Sequence, residues 1–164
     1  MLHFMKKIQT LAFVLVSSHI LAQYSGTISV PNATFSNLAV LVDSLNTYGL
    51  SGALIVNLTA AQTAPTGGYV LGNTGSAPLT TLSATNTLIL NGGGNTITSF
   101  TPGTRNVTGT TTGQIDAIFN LVGVDFVTIK RFTFSENSAN TNNTQAMEAA
   151  IALFNLGSAA GSAG

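Results

Sequence analysis

Five charged side chains in the later half of the chain have the types and spacing that could do chemistry: Asp116, Asp125, Lys130, Arg131 and Glu136. If stacked strands bring residues about one repeat apart onto one face, paired carboxylates supply the hard oxygen ligands that calcium takes. Asp116, Asp125 and Glu136 are therefore the candidate calcium ligands, with Lys130 or Arg131 as a neighbouring base. A plainer reading outweighs this one. Asp116 and Asp125 stand where turns open strands, a position Asp favours, and Lys130-Arg131 reads as a solvated turn. No two of the acids share a short motif such as an EF-hand loop. A glycosidase needs two carboxyls facing each other at a set separation, and five scattered acids permit that without specifying it. No catalytic residue is assigned and no cofactor is expected, calcium being the one ion these acids would take.

The exclusions are sharper. There is no cysteine, and the only histidines are His3 and His19. Both fall in an N-terminal segment with the form of a secretory signal. Lys6 and Lys7 give its positive end, Thr10 to Val16 its apolar centre, and Ala22 a small residue for cleavage. The apolar run breaks at Ser17, Ser18 and His19, well short of the roughly 20 residues a spanning helix needs. The chain is thus expected to be secreted, extracellular or on the outer cell surface, with no membrane span after cleavage. Without histidine or cysteine, the exported part cannot build a Ser-His-Asp or Cys-His site, a nitrogen-and-sulfur zinc site or a disulfide. Arg105, Lys130 and Arg131 then face five acids. That balance leaves no basic face for nucleic acid.

The elements that must position these residues are short. Ser36 is placed to cap a helix, Phe35 to pack on Val40 as a hydrophobic staple, and Gly49 to end it. Leu38, Leu41, Val42 and Leu45 form one apolar stripe between them. Afterwards the period changes to that of strands, at Ala53–Leu58, Thr87–Asn91, Thr96–Thr98, Ala117–Val122, Phe126–Ile129, Phe132–Phe134 and Ala149–Leu156. Phe119-Asn120-Leu121 recurs as Phe154-Asn155-Leu156, and Thr87–Thr98 shares a strand-turn-strand plan with Val127–Thr133. Long inserts run from Thr101 to Gln114 and from Asn137 to Gln145. Repetition of this kind lets neighbouring units bury faces that none could bury alone. An antiparallel β-sandwich is the competing arrangement, although a helix ahead of all the strong strands argues against it.

Phe35 to Gly49, with Asn46-Thr47-Tyr48-Gly49, resembles the capping helix of the right-handed parallel β-helix surface proteins of Bacteroidetes-type bacteria. Gly52 to Leu58 looks like their first strand, and Thr63 to Gly72 is similar to the segment that follows it. Asp116–Phe119 through Val124–Ile129 is similar to a coil found across pectate-lyase-like β-helices. The resemblance implies an all-β fold: the first coils of a right-handed parallel β-helix with an N-terminal capping α-helix. It divides the chain into a signal peptide (1–22), an N-terminal strand and capping helix (23–52), coils (53–156) and a Gly/Ser/Ala-rich end (157–164). It also implies an incomplete fragment, continuing into further coils and a type IX secretion sorting domain.

The function expected is a structural or adhesive role at the cell surface, with polysaccharide or surface glycan as partner and no evident catalysis. The alternative implied by the same resemblance is a calcium-dependent polysaccharide lyase or glycoside hydrolase, using Asp116, Asp125 and Glu136 with Lys130 or Arg131.

Overall fold

A computed structural model describes residues 23–72, 79, 82–103, 116–142 and 144–154. The segment read as a signal peptide, most of the insert from Thr101 to Gln114 and the Gly/Ser/Ala-rich end lie outside those residues.

The chain enters on β1 (Tyr24–Val30) and passes through α1 (Leu38–Tyr48) into β2 (Leu50–Leu58), β3 (Gln62–Thr63) and β4 (Tyr69–Leu71). Two further groups follow: β5 (Leu88–Asn91), β6 (Thr96–Thr98) and β7 (Ala117–Val122), then β8 (Val127–Lys130), β9 (Thr133–Ser135) and β10 (Ala149–Phe154). They assemble into three sheets, ordered β1-β2-β5-β8, β3-β6-β9 and β4-β7-β10. Every strand pair is parallel. That removes the antiparallel sandwich.

The expectation of an all-β, right-handed parallel β-helix is corrected. The described residues are mixed, 42% strand and 11% helical, and form several short parallel sheets with one helix. The physical reason lies partly in the helix. Leu38, Leu41, Val42 and Leu45 are buried among the same residues as the strands, so α1 is a wall of the core and not an appended lid. It also lies in the turns. Between β5 and β6 the chain bends at Gly92-Gly93-Gly94, and between β8 and β9 at Arg131, whose φ of 57° is left-handed. Each sheet stops at such a bend instead of running into the next.

The helix begins one residue later than expected. Asn37 is its cap, with its side chain accepting from Val40 N at 3.0 Å. Val40 is exposed, so it forms no buried staple; Phe35 packs instead edge-on against Tyr24, with ring centroids 5.6 Å apart. Gly49 closes the helix at φ 71°, donating its N–H to Leu45 O at 2.9 Å.

Strand alternation sets the core. Leu54 and Val56 of β2 lie in register with Leu88 and Leu90 of β5, and all four are buried. On the other face Asn57 and Asn91 are also in register, and Asn91 Nδ2 donates to Asn57 Oδ1 at 2.7 Å. The shared plan of Thr87–Thr98 and Val127–Thr133 is realised as β5 on β8 and β6 on β9. The Phe-Asn-Leu recurrence is not the structural register, because Phe119 pairs with Ile151 and Phe154 with Val122. Phe119 is the centre of an aromatic cluster, stacked on Tyr69 at 5.1 Å and meeting Phe132 and Phe134 edge-on at 5.5 and 6.1 Å. Such pairs add to the energy of simple burial.

Candidate functional site

The three candidate acids are not brought to one point. Asp116 immediately precedes β7 and Asp125 follows it, so a six-residue strand lies between them. At about 3.3 Å per residue that is roughly 20 Å. Asp125 is exposed in the turn before β8, beside Phe126 at φ 56°. Among the described residues no group of three or more His, Cys, Asp or Glu side chains is placed to hold a metal ion.

Glu136 and Asp116 do meet the same segment, the approach to β10. Glu136 Oε2 accepts from Met147 N at 2.9 Å, while Glu148 Oε2 accepts from Asp116 N at 3.0 Å. Ala149 N donates in turn to Asp116 O at 3.1 Å. Glu136 and Glu148 thus flank a small groove of about 160 Å³, lined also by Ser99, Ile118, Phe134 and Met147. Sequence reasoning did not single out Glu148, because its place beside Asp116 depends on the pairing of β7 with β10.

Glu136 is the best-connected side chain here. Its Oε1 accepts from Ser99 Oγ at 2.7 Å, from Asn137 N at 3.2 Å and from Asn140 Nδ2. Burial pushes its pKa up, but the bonds from Asn140, Ser99, Met147 and Asn137 outweigh that and hold it below the ordinary carboxylate value. Hydrogen bonds to the charged form act in this direction. Asn140 also donates to Phe100 O at 3.0 Å. Both Nδ2 partners are acceptors, which determines the amide's orientation. The arrangement knots the loop between β9 and β10 onto the end of β6.

Arg131 makes the exposed bend that the plainer reading of the sequence expects, while Lys130 is still part of a strand. Lys130 ends β8 in register with Asn91, and the carbonyls of Lys130 and Arg131 accept from Gly92 N and Gly94 N, each at 2.8 Å. The approach is close. A Cβ on Gly92 would lie 2.4 Å from Arg131 O and 2.7 Å from the Phe132 ring.

A larger groove of about 480 Å³ opens at the start of α1, lined by Pro31, Asn37, Ala39, Gln62, Thr63 and Tyr69 among others. Its polar groups serve the fold. Gln62 Oε1 accepts from Leu38 N at 2.8 Å, Asn37 caps the helix, and Tyr69 Oη donates to Thr63 O at 3.3 Å. The helix N-terminus is therefore filled by the protein's own side chains and is not open to an anion. Burial raises the Tyr69 pKa to about 12. Tyr69 is 1% exposed and offers no face on which a sugar could stack.

One face of the four-stranded sheet is turned outward. Thr27, Ile55, Ile89 and Thr128 form one row across it, and Ser29, Asn57, Asn91 and Lys130 the next. No helix among the described residues is long and apolar enough to cross a membrane. Comparison with protein-family models, curated proteins and solved structures finds no match to this chain.

Proposed function

We propose that this is an exported cell-surface module with a structural or adhesive role, meeting surface glycan through the outward face of its four-stranded sheet. The observation that carries the reading is the in-register pair of rows across β1, β2, β5 and β8. Parallel strands repeat at about 4.8 Å. One row presents Ser29, Asn57, Asn91 and Lys130, the donor and acceptor types that carbohydrate hydroxyls engage, beside a second in which Thr27 and Thr128 flank the apolar Ile55 and Ile89. The use of Glu136 as a fourfold acceptor within the protein supports a structural role for the acid that sequence offered as a metal ligand. Export rests on the form of residues 1–22, and the kinship with Bacteroidetes-type surface proteins on the motifs quoted above.

The test is retention of the secreted protein on a panel of immobilised polysaccharides, with and without calcium. Retention that falls when Asn57 and Lys130 are replaced by alanine supports the proposal. Retention unaffected by both changes refutes the assignment to this face. Calcium-dependent release of unsaturated oligosaccharides would make the protein a lyase instead.

A further inference from the structure

Asn91-Gly92 is the one Asn-Gly pair in this sequence, and such a pair carries chemistry of its own. The main-chain nitrogen that follows an asparagine can attack the side-chain amide carbon, and a glycine there puts no Cβ in the way. Attack of Gly92 N on Asn91 Cγ forms the new C–N bond of a five-membered succinimide. The Cγ–Nδ2 bond breaks, and the proton from Gly92 N leaves with the amide as ammonia. Water then opens the ring at one carbonyl or the other, giving an aspartyl or an isoaspartyl residue at position 91.

Packing places both members of the pair. Gly92 is buried against the bend after β8, where a Cβ would lie 2.4 Å from Arg131 O. Asn91 stands in register with Asn57 on one side and Lys130 on the other. The strand that carries it, β5, lies between β2 and β8. Toward β2, Asn91 Nδ2 donates to Asn57 Oδ1 at 2.7 Å. Toward β8, Gly92 N donates to Lys130 O at 2.8 Å. The amide that must be attacked is thus drawn to one neighbour, and the nitrogen that must attack is drawn to the other. Asn95 fixes Gly92 further, its N and Nδ2 donating to Gly92 O at 2.8 and 2.9 Å. One contact works the opposite way. Gly93 N donates to Asn91 Oδ1 at 3.2 Å and draws electrons from Cγ, but this bond is long and gains nothing while the nucleophile is held on β8.

We infer that Asn91-Gly92 is a latent modification site, held closed in the folded protein by this opposed pull and released when β5 parts from its neighbours. Its conversion then tracks the population of the opened form. The change outlasts the opening. An aspartyl residue turns a carboxylate toward Asn57 Oδ1 where an N–H donor stood, and an isoaspartyl residue adds a methylene to the main chain and shifts Gly92 N from Lys130 O. This holds whatever the outward face of the sheet binds.

The purified chain, held at mildly alkaline pH in buffer and in urea at one temperature, tests the inference. Peptide mapping follows the aspartyl and isoaspartyl products at position 91. Conversion in buffer is expected to be slower than in urea by about tenfold or more. Asn57→Ala takes away the acceptor that holds the Asn91 amide. It should convert about fivefold faster than wild type in buffer, the weight of one hydrogen bond, and at the wild-type rate in urea. A wild-type rate in buffer equal to that in urea overturns the inference. So does an Asn57→Ala protein of native circular dichroism that keeps the full protection.

Discussion

Replacing Glu136 separates its two possible roles, internal acceptor and metal ligand. The carboxylate takes three donors on Oε1 and one on Oε2. Glu136→Gln keeps a carbonyl oxygen for the first three and turns an amide N–H₂ toward Met147 N, so one bond is lost and two donors face each other. Glu136→Ala removes all four. A hydrogen bond to a charged group contributes about 1.5–3 kcal/mol when shielded, but Glu136 is exposed and solvent takes most of that back. The net expectation is about 1 kcal/mol for Gln and about 2 kcal/mol for Ala, the latter a fall in Tm of roughly 5–10 °C.

The pH dependence carries the sign. The folded pKa is depressed, so the unfolded chain binds the proton more readily. Stability from Glu136 is fully present above the ordinary glutamate pKa and is lost as pH falls through the lower, folded one. Urea unfolding of wild type and Glu136→Gln should therefore differ at pH 7 and converge toward pH 3. A constant difference across that range, or a Glu136→Ala protein as stable as wild type, would refute the reasoning. Millimolar calcium should leave the wild-type midpoint unchanged, and a calcium-dependent rise abolished by Glu136→Gln would reinstate the metal reading.

Three further outcomes follow from the packing. Gly92→Ala should destabilise strongly, because its Cβ would meet Arg131 O and the Phe132 ring, whereas the same change at Gly94 meets open space and costs only the strain of φ 90°; paired urea melts compare them. Phe119→Ala should cost about 3–5 kcal/mol, the range for emptying a buried aromatic site, and Phe119→Leu distinctly less, read by thermal unfolding with near-ultraviolet circular dichroism. Tyr69 should stay protonated until about pH 12 in the folded protein. Because the unfolded chain releases that proton near pH 10, stability should fall as pH rises between the two values, and ultraviolet titration of Tyr69→Phe should lack the late step.

Much of this was legible in residue order. The stripe of Leu38, Leu41, Val42 and Leu45 announces a buried helical face, and all four are buried. The β-branched runs at Ala53–Leu58, Thr87–Asn91 and Ala117–Val122 are strands for the same local reason, since alternation and turn residues act within a few positions. The two- and three-residue strands β3 and β4 carry no such pattern and exist because neighbours in other turns of the chain supply their partners.

Tertiary structure decided the rest. Whether the strands pair in parallel, which residue of β10 meets Phe119, and that three short sheets share a core with α1 depend on contacts between distant segments. The site was decided there as well. Asp116, Asp125 and Glu136 look like one group along the sequence, but β7 sets the first two apart while the start of β10 brings Glu148 beside Asp116. Composition excluded cysteine chemistry in this chain outright, because an absent residue is absent from every fold, and it confined histidine to positions 3 and 19. Proximity of the residues that remain is a property of the fold, and spacing along the chain does not carry it.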